Sequence, residues 1–268
     1  MQFFKYHAAG NDFIITKEQN LDSEKIKKLC NRNFGIGADG VLIHKNSTKA
    51  DAKMEIVNND GSSAEMCGNG LRCFVSYLVT ECGMTKKKLM IETGKGELET
   101  GWRELDNGQL LVEANLGTSK LLNFEEKKIK DNKFEIYAVS TGNPHIVIYP
   151  SKELNSLEVF EIAGYFQREN FFEAEANIEV ITAINEKSKS IFAVVKERGA
   201  GFTLACGTGG AAIMHTLFAK KVALSDEKWS VFFPGGEIIY SMGSNGEITM
   251  SGVPEKVFEG SLDLRKLL

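Results

Sequence analysis

Glu65-Met66-Cys67-Gly68-Asn69-Gly70, with Leu71, Phe74, Val75 and Leu78 behind it, decides how this chain folds. The four apolar residues fall at i, i+3, i+4 and i+7, the spacing of one helix face. Gly83 follows as a stop. Cys67 therefore stands at a helix N-terminus. Unpaired backbone N–H groups and the positive dipole end attract anions there and lower a thiol's pKa. The construction returns at Ala205-Cys206-Gly207-Thr208-Gly209. Moving the first helix face along by 206 − 67 = 139 residues reaches Gly210, Ile213, Met214 and Leu217, again small or apolar. Two cysteine-tipped helices in one chain point to a paired acid and base.

The flanking sequence repeats as well. Gly10-Asn11-x-Phe13-Ile14-Ile15 matches Gly142-Asn143-x-His145-Ile146-Val147, and the blocks keep one order. Two copies are too few for a solenoid, so the pattern reads as one duplication. It predicts two similar α/β (α+β) domains, residues 1–117 and 118–255, with the tail 256–268 packing back on the first. Many short strands surround a single long helix in each half. A mostly antiparallel, barrel-like sheet around that helix fits this, and a doubly wound parallel sheet does not. Strands are predicted near 3–7, 13–15, 41–43, 54–57, 89–92, 96–100 and 109–114. In the second half they fall near 134–139, 146–148, 178–184, 190–196, 229–233, 236–241 and 246–251. Helices are predicted over 23–30 (with Asp22 or Ser23 as N-cap), 69–82, 157–169 and 208–221.

The net charge of −4 gives no reason to expect nucleic acid or an anionic membrane as partner. No apolar run approaches the roughly 20 residues that span a bilayer, and no signal-peptide pattern opens the chain, so a cytoplasmic protein is expected. Five cysteines without a C-x-x-C pair argue against a disulfide framework and a structural zinc site. Four dispersed histidines make no metal triad, so no metal is expected. Gly35-Ile36-Gly37-Ala38-Asp39-Gly40 spells a dinucleotide fingerprint, but a helix precedes it and a strand follows, the reverse of what that site needs. It reads as a turn. Cys30, Cys73 and Cys82 read as packing residues, and His7, His44 and His215 as structural or exposed. Lys86 to Lys88 and Glu125 to Lys133 read as solvated charge runs between elements.

The chain resembles the diaminopimelate epimerase family of cofactor-independent amino-acid racemases. The matching stretches are Gly10 to Phe13, Gly35 to Gly40, Asn58 to Cys73 (NNDGSSAEMCGNGLRC), Thr141 to His145 (TGNPH), Asn177, and Glu197 to Gly209 (ERGAGFTLACGTG). Proline racemases share the paired-cysteine scheme but differ around the cysteines, and Glu197 to Gly201 favours the diaminopimelate branch. The resemblance implies two pseudo-symmetric domains with the site in a cleft between them. It also implies interconversion of L,L- and meso-diaminopimelate, a small-molecule substrate of lysine and peptidoglycan precursor synthesis, without pyridoxal phosphate or any other cofactor.

By the same resemblance Cys67 and Cys206 exchange protons with the substrate. Asn11, His145 and Glu197 lie near the reacting centre, where His145 and Glu197 assist thiol ionisation. The N–H groups of Gly68, Asn69, Gly207 and Thr208 hold the α-carboxylate. Asn58, Asn143, Asn177 and Arg198 read the distal end. Three positions depart from the family pattern: Gly40 where some members have Gln, Phe202 in place of Glu, and Glu173 in place of Pro. They leave a thioether analogue such as lanthionine open as substrate. Competing readings are a proline- or hydroxyproline-type racemase, a cysteine hydrolase using Cys67 and His145, and a binding protein on this scaffold. A homodimer is left open.

Overall fold

The computed structural model describes residues 1–129, 132–168 and 176–266. The chain parts into two compact units, Met1–Ala114 with Gly252–Leu268, and Asn115–Ser251. In the first, β1 (Gln2–Ala8) and β2 (Asn11–Thr16) form a hairpin. Its turn, Ala9-Gly10, has φ values of 50° and 78°. Helix α1 (Ser23–Cys30) starts at Asp22, whose side chain accepts the Lys25 N–H. β3 (Gly40–Lys45) then lies parallel to β2, and β4 (Ala52–Asn58) antiparallel to β3. The short β5 (Ser63–Ala64) leads into α2 (Gly68–Thr80). β6 (Lys88–Thr93) runs parallel to β4, and β7 (Gly96–Glu104) and β8 (Leu110–Thr118) complete a meander.

The second unit repeats this pairing scheme. β9 (Lys120–Ile129) pairs with β10 (Asn132–Ser140), and β10 with β11 (Pro144–Pro150), both antiparallel. Helix α3 (Ser156–Arg168) precedes β12 (Asn177–Asn185), which is parallel to β11. β13 (Ser190–Glu197) and the short β14 (Gly201–Thr203) lead into α4 (Gly207–Ala219). β15 (Trp229–Phe233) lies parallel to β13, followed by β16 (Gly236–Met242) and β17 (Glu247–Gly252). β18 (Pro254–Ser261) returns to pair antiparallel with β1, as β9 pairs with β10. This is the mixed α/β, pseudo-symmetric and mostly antiparallel architecture that the repeat implies.

In each unit helices cover both faces of the central strands. Leu71, Phe74, Val75 and Leu78 of α2 are fully buried against β1, β2, β4 and β18. On the other side α1 covers Ile14, Val41 and Ile43 with Ile26 and Leu29. In the second unit α4 packs on β10, β11, β12 and β16, and α3 covers Phe134, Ile146, Ile148 and Val180 with Ile162 and Phe166. Among the described residues no helix is long and apolar enough to cross a membrane.

The small residues opening α4 have a packing reason. A Cβ at Gly210 would lie 2.3 Å from the ring of the buried Tyr240, whose hydroxyl donates to the Gly207 carbonyl at 2.9 Å. Gly210→Ala is therefore expected to destabilise the unit by about 1–3 kcal/mol, the usual range for an overpacked core. Chemical denaturation checks this; an unchanged midpoint would show that Tyr240 can step aside.

Two readings need correction. Of the charges from Glu125 to Lys133, Glu125 to Lys128 lie in β9 and Lys133 in β10 rather than between elements, with Glu125 opposite Ile136 and Lys127 opposite Phe134, while Lys130 and Asp131 lie outside the described residues. A block of four consecutive charges hides the period-2 alternation that marks a strand. Lys88 likewise opens β6 instead of preceding it. Glu173 lies outside the described residues.

Candidate active site

In the first unit Cys67 is the N-cap of α2, at φ −138° and ψ 120°, and its Sγ accepts the Gly70 N–H at 3.4 Å. Gly68 and Asn69 open the helix, so their N–H groups point out of its N-terminal end. The Cys67 thiol donates to Asn11 Oδ1 at 3.6 Å, and Asn69 Nδ2 donates to the same oxygen at 3.4 Å. Arg72, buried one turn on, donates to Asn69 Oδ1.

Asn11 is held from behind. Its Nδ2 donates to Asp39 at 2.8 Å, Arg32 bridges Asp39 and Asp12 at 2.7 Å each, and Lys5 reaches Asp12 at 2.6 Å. Burial alone would raise the Asp12 carboxyl, but hydrogen bonds from Arg32 and Lys5 overturn that and hold it well below the carboxylate range. The charged clamp thus fixes the β1–β2 turn. Asn58, at the end of β4, is tied to Ser62 at 3.0 Å and not to this cluster. At Gly40 a Cβ would stand 2.8 Å from the Val57 carbonyl, so a longer residue there needs the backbone to shift.

The second unit builds the same tip with a different surround. Cys206 caps α4 at φ −122° and ψ 114°, and its Sγ accepts the Gly209 N–H at 3.4 Å and lies 3.4 Å from Thr208 Oγ1. Gly207 and Thr208 open the helix as Gly68 and Asn69 open α2. Asn143 Nδ2 donates to Thr208 Oγ1 at 3.5 Å, and Thr141 Oγ1 donates to Asn143 Oδ1 at 3.0 Å. Gly142 between them has φ 104°, which a side chain would strain. Asn177 Oδ1 accepts the Arg198 N–H at 2.9 Å, bracing the turn after Glu197, while the Arg198 side chain is exposed. Glu197 accepts from Thr203.

His145 is fully buried, with Nδ1 2.8 Å from Oε1 of an equally buried Glu179. Nothing in the motifs singled out Glu179. The signal that could have found it is a lone charge in the apolar run Ile178-Glu179-Val180-Ile181. Asp39 and Thr203 lie inside quoted motifs and Tyr240 outside them; none carries a role in the sequence reading, because each acts by supporting a named residue.

One electrostatic expectation is overturned. Cys206 is pushed well above the ordinary thiol range, first by burial and then by the charges of Glu197 and Glu179. Hydrogen bonds from Thr208 and Gly209 pull the other way and lose. The magnitudes agree: a helix end is worth up to about 2 kcal/mol, or about 1.5 pKa units. Full burial of a charge shifts a pKa by up to about 3–5 units. Cys206 is therefore the protonated partner at neutral pH. Glu197 is raised too, by burial and by Glu179, although Thr203 opposes it. Burial pushes Cys30 up to about 12 and raises Cys73 as well, consistent with packing roles.

The sequence profile of diaminopimelate epimerases matches residues 3–122 and 137–257. The chain belongs to the diaminopimelate epimerase family. It is 35% identical over 277 residues to the diaminopimelate epimerase of Carboxydothermus hydrogenoformans, covering 97% of this chain and 98% of that one. It is 35% identical over 286 residues to that of Acetivibrio thermocellus, covering all of both. Solved structures share the fold at low identity. A Bacillus anthracis phenazine biosynthesis protein of the PhzF family superposes with TM-score 0.75 at 18% identity, over 98% of this chain and 99% of that one. A hydroxyproline epimerase from Agrobacterium vitis gives 0.69 at 13%, over 98% and 92%. These structures share the fold of this chain, which places Cys67 and Cys206 at the tips of α2 and α4.

Proposed function

We propose that the protein interconverts L,L- and meso-diaminopimelate by two-base proton transfer between Cys67 and Cys206. The observation that carries this is the doubled helix tip: each unit presents one N-cap cysteine at the first turn of its long central helix. Membership of the family supplies the substrate. Inversion of a stereocentre requires a base on one face of the α-carbon and an acid on the other. In this mechanism Cys67, the less buried thiol, takes the α-proton as thiolate while Cys206 delivers one, and the reverse reaction exchanges the roles. The N–H groups of Gly68, Asn69, Gly207 and Thr208 hold the α-carboxylate and stabilise the charge that develops beside it; losing one such donor typically costs about 2.7–4 kcal/mol. His145 and Glu197 move protons to and from Cys206, and Asn11 orients Cys67. Asn58, Asn143, Asn177 and Arg198 read the distal amino-acid centre, with the Arg198 guanidinium suited to its carboxylate. No step calls on a metal or cofactor. The reaction belongs to lysine and peptidoglycan precursor synthesis, in the cytoplasm.

Proton NMR in D2O tests the substrate. The α-proton signal of diaminopimelate is expected to disappear as the diastereomers equilibrate, with proline and hydroxyproline untouched. Exchange with proline and none with diaminopimelate would overturn the assignment.

A further inference from the structure

We infer that Glu179 is a positioning residue for the reaction proposed above: it accepts the hydrogen bond of His145 Nδ1–H and so commits that ring to an open Nε2. The inference rests on that functional reading and on three observations. First, the pair is sealed, with both side chains fully buried and 2.8 Å apart. A carboxylate only accepts, so the proton between them sits on Nδ1, and Nε2 carries the lone pair when the ring is neutral.

Second, the pair is incomplete. Among the described residues His145 Nε2 and Glu179 Oε2 are buried and have no hydrogen-bond partner. A buried ion pair or hydrogen-bonded pair kept only for stability is a poor bargain against apolar side chains of similar size, and an unsatisfied one is worse. Two open polar atoms in one sealed pair suit a group that must accept a proton at some stage.

Third, α4 makes room for the carboxyl. A Cβ at Gly209 would lie 2.5 Å from Glu179 Oε1. Gly209 also gives its N–H to Cys206. One glycine therefore joins the thiol, the helix tip and the carboxyl that holds His145. The helix N-terminus favours negative charge at that point.

The titratable groups around Glu179 are His145 on β11, Glu197 on β13, Cys206 at the tip of α4 and, beside the same helical turn, Tyr240 on β16. The Glu179 charge is among the causes that raise both Cys206 and Glu197. Its removal acts on the pair even where the packing is unchanged.

The test uses the whole enzyme with Glu179→Gln, which keeps the volume and an acceptor, and Glu179→Ala, which keeps neither. 15N NMR of the histidine ring is expected to show Nδ1–H in the wild type and in Glu179→Gln, and an Nε2–H population in Glu179→Ala. Turnover is expected to fall about 100-fold in Glu179→Ala, within the range of a positioned acid–base group, with KM within threefold. In Glu179→Gln the pH limb set by Cys206 moves to lower pH, which a merely structural residue would not cause. Wild-type turnover with an unmoved pH limb in Glu179→Gln overturns the proposal, as does an Nδ1–H tautomer persisting in Glu179→Ala. Should Glu179→Ala not fold, the Glu179→Gln pH limb decides. A wild-type enzyme inert toward diaminopimelate sinks the substrate reading alone, since the ring tautomer is read without substrate.

Discussion

Cys67→Ala and Cys206→Ala are each expected to lower interconversion of the diastereomers by about 10²–10⁴-fold, the usual worth of a positioned acid or base. The two variants are also expected to fail in complementary ways. A site left with one thiol can remove the proton that faces it and return a deuteron from solvent to the same face. It then exchanges one diastereomer without inverting it and leaves the other untouched. Cys67→Ala should wash deuterium into one isomer and Cys206→Ala into the opposite one. Serine variants serve as fold controls, because serine caps a helix better than alanine and removes only the thiol. Proton NMR on each pure isomer in D2O reads all of this. A single-cysteine variant that still interconverts the isomers, or exchanges both, would show that one thiol suffices and that the doubled helix tip has another purpose. A cysteine hydrolase using Cys67 and His145 makes the same kind of distinction from the other side, since it keeps full turnover without Cys206.

What the sequence made legible was whatever repeats or has a period. The α2 face of Leu71, Phe74, Val75 and Leu78 and its image on α4 needed only 3.6-residue spacing and a shift of 139 residues. The pairing order that surrounds them is doubled in the same way. What the sequence hid depends on partners brought together from afar. Asn11 is clamped by Asp39 because β2 lies parallel to β3, with Phe13 opposite Gly40. No local pattern announces a parallel neighbour. Glu179 sits among apolar residues on β12, and only alternation of faces separates it from Ile178 and Val180, which pack under α3. The acidity of Cys206 was misread for the same reason. A helix tip is a local feature and visible in the chain, whereas burial and the carboxylates of Glu197 and Glu179 are contributed by β12, β13 and the sheet around them.

Glu197→Gln separates two roles that the wild type combines. Glu197 is a half-buried carboxyl whose pKa is raised chiefly by desolvation, and it is one of the two negative charges that, after burial, help keep Cys206 a thiol. Consider charge alone. Removing it lowers the Cys206 pKa, because a thiolate there no longer faces a second anion. The thiolate fraction at pH 7 rises, and alkylation of Cys206 by iodoacetamide is expected to quicken, with its pH midpoint moved to lower pH. If Glu197 did no more than this, catalysis in the direction that uses Cys206 as base would speed up. As the partner that takes up and returns the Cys206 proton, however, Glu197 must itself change protonation state, and a glutamine cannot. Turnover is then expected to fall about 100-fold or more while alkylation becomes faster. Opposite movements of these two rates in one variant identify the carboxyl as a proton carrier. Parallel acceleration of both would reduce Glu197 to a fixed charge and leave His145, on its Glu179 support, as the group that exchanges protons with Cys206.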